Sequence, residues 1–358
     1  MSLARLIFVS QTWPHMGSVS GYAPLAAALR PLLGERMEII TPADLWQQRH
    51  HNDAIQENLA RDASPEYLPW VDDIQRFGCA AVLARLNAEL DAIVLLTAGE
   101  DQLCRAFLEQ PSAVQRRIFV VFHQPPSWFE ATAPDARALR ELGGVVCLSS
   151  SQAEYFRGRG VRTVIVSRLG VNHQFFSPAS EPPGADAPVL VVGQWLRDFD
   201  LLEQTMRLFW TSQPERKLRC LVGKPIDGIA PLLRLAEDPR TEILPRHSNE
   251  GLRDLYRQSR ITYLPLSDAV ANNAAVEAAA CAAPLVVTDL PSTREYLKDV
   301  NVLFAAAGNA HDHARALLGA TTAPPHVNRE GHERFVAAHD WPAIAAHLLR
   351  DLELAHAG

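Results

Sequence analysis

Cysteine is scarce here and poorly placed for a framework. Cys79, Cys104, Cys147, Cys220 and Cys281 are odd in number and show no C-x-x-C spacing. That excludes a disulfide scaffold and a zinc ribbon, and fits buried thiols in a reducing compartment. Long apolar runs are also missing, since no stretch approaches the roughly 20 residues that a membrane-spanning helix needs. The N-terminal apolar stretch Leu6 to Val9 is too short for the core of a signal peptide and is interrupted by Ser10-Gln11. Positive charge is not in excess: the formal net charge is -7 and the pI is near 6.0, so no general nucleic-acid footprint is expected. The first βα turn, Gly17-Ser18-Val19-Ser20-Gly21, is not G-x-G-x-x-G, and no acidic residue follows about 20 positions on in the dinucleotide pattern. The expectation is a soluble cytoplasmic protein. Contact with the inner membrane face, where it occurs, would be peripheral.

What is present is ample core material. Across 358 residues, 47% are hydrophobic and 21% charged, which suits two globular domains of ordinary size. Apolar, β-branched runs alternate with helical segments along the whole chain. Strands are read at Leu3 to Ser10, Met37 to Thr41, Ala92 to Leu96, Arg117 to Phe122, Val145 to Leu148 and Thr163 to Ser167. The rhythm restarts at Val189 to Val192 and continues through Leu218 to Val222, near Ile243, Ile261 to Leu266, Leu285 to Thr288 and Asn301 to Phe304. Such alternation predicts α/β architecture with parallel, doubly wound sheets. Residues 42 to 72 are polar and read as irregular, with helices near Asp73 to Leu90 and Pro134 to Leu142. The Pro- and Gly-rich Ser177 to Pro188 marks the boundary between an N-terminal domain over 1–175 and a second over 176–340, with a terminal helix over 341–358.

The richest stretch runs from Tyr263 to Asp289. A buried strand closes at Ser267-Asp268, Asn272-Asn273 open an Ala-rich helix carrying Glu277, and a second strand follows Pro284. This is a βαβ unit with a right-handed crossover. An Asn at the helix start caps it and leaves backbone N–H groups free to meet an anion. Asn273 and Glu277 share one helical face. A carboxylate one turn inside an anion-binding helix start suits a ligand carrying both hydroxyls and phosphate, as a nucleotide does.

The same residues resemble the donor-site signature of the retaining GT-B glycosyltransferases of glycosyltransferase family 4, roughly P-S-x-x-E-x-F-G-x-x-x-x-E-A-M-A-C-G-x-P-V-V. Pro265, Glu277-Ala278, Ala280-Cys281 and Pro284-Leu285-Val286 follow it in register. The first Glu of the signature falls at Ala269, its Phe at Ala271 and its Gly at Asn272. Ser167 to Pro178 (SRLGVNHQFFSP) is similar to the family's entry to the interdomain linker, and Leu221 to Pro225 (LVGKP) to its I-V-G-x-G-P turn. Val191 to Asp200 occupies the place of V-G-R-L-x-x-x-K-G, but its two cation positions hold Gln194 and Phe199.

The resemblance implies two Rossmann-like domains facing each other across a cleft, with the last helix crossing back onto the first. It implies a nucleotide-sugar donor and a hydroxyl-bearing acceptor as partners. Glu277 is then expected on the ribose, and Arg197, Lys224, Asn272 and Asn273 on the diphosphate. His247, in Arg246-His247-Ser248, would frame the nucleobase. His123, after its strand, would face the sugar together with the turn at Gly17 and Ser18. His123, Arg197 and Lys224 are the candidates for the chemical step. Fixed cations and a helix start stabilise charge developing on a leaving diphosphate. Asp198-Phe199-Asp200 spells D-x-D, but its position favours helix capping over metal binding. No metal or other cofactor is expected. The seven tryptophans, Trp128 and Trp195 among them, read as packing first and cleft lining second.

The leading expectation is a bacterial, retaining, metal-independent hexosyltransferase acting on a polysaccharide, glycolipid or natural-product acceptor. Two alternatives stay open: a sugar-nucleotide epimerase or hydrolase of the same fold, and a non-catalytic sugar-nucleotide binder. The sequence leaves the base, the sugar, the acceptor and the oligomeric state open.

Overall fold

A computed structural model describes residues 3–10, 19–40, 80–103, 105–132, 139–223, 226–322 and 328–357. Gly17, Ser18, Lys224, the irregular stretch 42–72, the start of the helix read from Asp73 and most of the one read from Pro134 lie outside the described residues. The chain divides into two compact units, one formed by 1–168 together with 341–358 and the other by 169–340.

The first unit holds a parallel sheet of β1 (Arg5–Val9), β2 (Met37–Ile40), β3 (Ala92–Leu96), β4 (Ile118–Phe122), β5 (Gly144–Cys147) and β6 (Val164–Val166). Its order is β2-β1-β3-β4-β5-β6. The inner strands AIVLL and IFVVF are buried at every position, as expected for a sheet covered on both faces. Ile7, Val94, Leu96, Val120 and Phe122 build a core with Phe129 and Phe156 from the helices. The Trp341–Ala357 helix belongs to this unit, where Glu353 Oε1 accepts from the backbone N–H of Leu3 at 3.1 Å.

The second unit holds β7 (Val189–Val192), β8 (Leu218–Leu221), β9 (Thr241–Leu244), β10 (Ile261–Leu264), β11 (Leu285–Thr288) and β12 (Val302–Ala305), again all parallel. Its order is β12-β11-β10-β7-β8-β9. The central strands VLVV and ITYL are fully buried, whereas edge strands β9 and β12 are partly exposed. Val191, Met206, Phe209, Tyr263 and Leu317 form the core beneath. Within it the fully buried His313 bonds through Nδ1 to the Tyr263 hydroxyl at 2.9 Å, and burial pushes its pKa down.

Each order reverses direction once, between β1 and β3 in the first unit and between β7 and β10 in the second. At such a reversal the connecting helices leave on opposite faces and open a crevice beyond the carboxyl ends of the strands.

Candidate functional site

The reversal in the second unit collects the residues of its site. After β7 the chain makes a tight turn, Gln194 to Arg197, closed by the Arg197 N–H on the Gln194 carbonyl at 3.3 Å. A bridge between Arg197 and Leu266, with the Asp198 N–H on the Pro265 carbonyl at 2.9 Å, zips this loop to the chain leaving β10. The guanidinium folds over the strand end. Nε and Nη2 donate to the Val192 carbonyl at 2.9 and 2.7 Å, and Nη1 donates to the Trp195 carbonyl at 3.1 Å. Gly193 has φ +86°, and a Cβ there would lie 3.0 Å from Arg197 Nη2, so only glycine gives the guanidinium this seat. Burial pulls the Arg197 pKa down to about 10, which leaves it a cation at neutral pH.

Asn272 caps the Asn273–Ala280 helix as its residue type suggests. Its Oδ1 accepts from the Ala275 N–H at 3.2 Å and from Arg197 Nη2 at 3.4 Å. A fixed cation therefore adjoins the positive end of a helix, a pairing that favours an anion. One turn further, Glu277 is only 5% exposed. The Tyr256 hydroxyl donates to its Oε2 at 3.0 Å. Burial, reinforced by the Glu277 charge, raises the Tyr256 pKa well above the ordinary phenol range, so that proton stays in place. Tyr256 thus fixes which carboxylate oxygen is engaged from below. The structure brings Arg197, Asn272, Asn273 and Glu277 to one crevice. His247 follows edge strand β9 of the same sheet, with Nδ1 bonded to the Pro245 carbonyl at 2.7 Å.

Asp198 is the N-cap of the Phe199–Ser212 helix, its carboxylate accepting from the Leu201 N–H at 2.8 Å, and Asp200 lies in the first turn. This is the capping arrangement expected of D-x-D at that position. Among the described residues no cluster of three His, Cys, Asp or Glu side chains is placed to hold a metal ion.

In the first unit His123 follows β4 directly, at the sheet edge expected for it. Nε2 is 2.8 Å from the Tyr22 hydroxyl and Nδ1 is 3.3 Å from Glu100 Oε2. The other carboxylate oxygen of Glu100 accepts from the backbone N–H groups of His123 and Gln124 at 2.5 and 2.7 Å. The fully buried Gln152 donates to the Phe122 and Gln124 carbonyls at 3.1 and 2.9 Å. Bonds on both sides fix the ring in this loop, with Nδ1 facing Glu100 and Nε2 facing the Tyr22 hydroxyl.

Tyr22, Glu100 and Tyr256 are partners of the candidate residues that the sequence did not reveal. Only Glu100 left a trace, as the first acidic residue after the wholly apolar β3, in the short Gly99–Gln102 helix. Its neighbour Gly99 shows how tightly it is set. A Cβ there would stand 2.3 Å from Val120 Cγ1 and 2.6 Å from Phe122 Cε1. Gly99→Ala should therefore lower stability by about 1–3 kcal/mol through overpacking. A thermal melt within a degree of the wild type would contradict that.

No curated protein sequence matches the chain. Residues 189–322 match the family described as Glycosyl transferases group 1. Several solved structures align along nearly the whole chain. Sucrose-phosphate synthase from Thermosynechococcus elongatus is 15% identical with a TM-score of 0.69, covering 98% of this chain and 100% of its own. An alpha,alpha-trehalose-phosphate synthase (UDP-forming) from Burkholderia vietnamiensis is 14% identical with a TM-score of 0.64, covering 99% and 100%. A glycosyltransferase from Rickettsia africae is 12% identical with a TM-score of 0.61, covering 98% of each chain. The chain has the GT-B fold, and its second unit carries a domain like those of the group 1 glycosyl transferases.

Proposed function

We propose that this protein is a retaining glycosyltransferase that moves a sugar from a nucleotide-diphosphate sugar to an acceptor hydroxyl. The observation that carries this reading is the contact between Arg197 and Asn272 at the second unit's strand-order reversal, with buried Glu277 one helical turn away. A cation and a capped helix start suit a diphosphate; a buried carboxylate suits a pair of ribose hydroxyls. The match of residues 189–322 to the group 1 family, and the UDP-forming synthase among the structures of similar fold, agree with it.

In this reading the acceptor oxygen attacks the anomeric carbon from the side on which the diphosphate departs. The bond to the phosphate oxygen breaks, and the acceptor's proton passes to that leaving oxygen. Arg197 and the N–H groups of the helix start stabilise the charge as it develops. We assign that work to these groups rather than to a divalent ion, because Asp198 is engaged as a helix cap. His123, held between Glu100 and Tyr22, is assigned to sugar hydroxyls.

A thermal-shift panel of UDP, GDP, ADP, dTDP and CDP, each with and without EDTA, tests the donor site. One nucleotide at about 100 times its dissociation constant should add roughly 2.7 kcal/mol of stability, irrespective of EDTA. A shift abolished by EDTA would overturn the metal-independent assignment. No shift with any nucleotide would overturn the donor site itself.

A further inference from the structure

The turn between β7 and its helix carries residues of types unusual at its two central positions. In a tight turn the two central positions are the most exposed, and a positive φ at the second of them calls for glycine or asparagine. Here those positions are Trp195 and Leu196, and Leu196 has φ +56°. A leucine in the left-handed region is strained, and such strain survives only where the surroundings impose it. The surroundings do impose it. The Leu196 carbonyl accepts from the Ser267 N–H at 3.1 Å and from Ser267 Oγ at 3.3 Å, while the Trp195 carbonyl accepts from Arg197 Nη1 at 3.1 Å. The peptides on either side of the Leu196 Cα are therefore both anchored.

Trp195 itself is 63% exposed, the one aromatic among the large hydrophobic side chains that the described residues leave in solvent. The indole thus stands largely in solvent at the tip of a locked, strained turn. It stands beside the cation that contacts Asn272, at the reversal of the sheet.

We propose that Trp195 is a specificity-determining platform for a pyranose ring, whose C–H face packs on the indole while the adjoining diphosphate is held by Arg197. This inference rests on the donor-site reading above and adds to it the residue that recognises carbohydrate. A flat apolar face with a polar rim is what a sugar ring needs, and tryptophan offers the largest such face at little conformational loss. Either the sugar of the donor or a sugar of the acceptor supplies the ring, and their affinities separate the two.

The test compares wild type, Trp195→Phe and Trp195→Ala by calorimetry. The probes are the nucleoside diphosphate that binds the wild type, the glucose conjugate of the same nucleotide, and maltose in the presence of that diphosphate. Trp195→Ala should bind the diphosphate as the wild type does, within about twofold, and should melt at the same temperature. Its affinity for one sugar-bearing probe should fall about tenfold, with Trp195→Phe recovering most of it. Loss on the glucose conjugate assigns the platform to the donor sugar, and loss on maltose to the acceptor. Unchanged affinity for both sugar probes overturns this inference alone. Equal loss on the bare diphosphate also overturns it, since Trp195 would then serve the nucleotide. A wild type that binds no nucleoside diphosphate removes the donor-site reading and this inference with it.

Discussion

Replacing Arg197 with alanine should lower kcat by about two to three orders of magnitude, the loss typical when one preorganised donor to a developing oxyanion is removed. Among the described residues, three of the guanidinium's four hydrogen bonds go to backbone carbonyls at the end of β7 and in its turn, so the cation is seated before any ligand arrives. That is the condition under which a charge contributes most to a transition state, because nothing has to reorganise when the bond breaks. Arg197→Lys separates charge from seat. Lysine restores a positive charge, but a single ammonium cannot span the Val192 and Trp195 carbonyls as the planar fork does. It should recover less than about a tenth of the lost rate. Steady-state kinetics with both variants decide the matter, and a kcat within threefold of wild type for Arg197→Ala would remove this residue from the chemistry. The depressed pKa gives a second readout. Activity that depends on this cation should fall as pH rises through about 10, and Arg197→Lys should move that limb.

The sheets were legible because parallel strands covered on both faces must be apolar without interruption, and Ala92–Leu96, Val189–Val192 and Leu285–Thr288 stand at the residues expected. Boundaries drifted where an apolar side chain stays buried after its backbone has left the ladder. Leu266 reads as strand, yet its N–H is taken by the Thr288 hydroxyl at 2.7 Å and its neighbour in the bridge is Arg197. The helix cap at Asn272 was legible because capping is local chemistry. Tyr256 and Glu277 are 21 residues apart, and Tyr22 and His123 are 101 apart. No local spacing joins such residues; only the folded sheet does. Arg197 illustrates the middle case. Its loop could be placed by register, but its contact with Asn272 depends on β7 and β10 being neighbours despite two strands of intervening sequence.

Glu277→Ala should weaken nucleoside diphosphate binding by roughly 2–4 kcal/mol, or about 30- to 1,000-fold, if the carboxylate accepts from two ribose hydroxyls. Charge-assisted bonds of this kind gain strength in a buried setting, and Glu277 is 5% exposed. The same substitution leaves the Tyr256 hydroxyl without the carboxylate to which it donates, at full burial. A fall in stability of about 1–3 kcal/mol should therefore accompany the fall in affinity. Two further variants pull these effects apart. Tyr256→Phe removes the donor with its apolar ring retained, and should reduce affinity less than Glu277→Ala does, because the carboxylate keeps its charge but loses its orientation. Glu277→Gln keeps an acceptor for Tyr256 and should restore most of the stability while leaving affinity low, since a neutral amide oxygen is a weaker acceptor for ribose. Calorimetry beside a thermal melt reads both quantities on each variant. Affinity that tracks stability across the three would reduce Glu277 to a structural carboxylate; affinity lost in Glu277→Gln at near-normal stability would place it on the nucleotide.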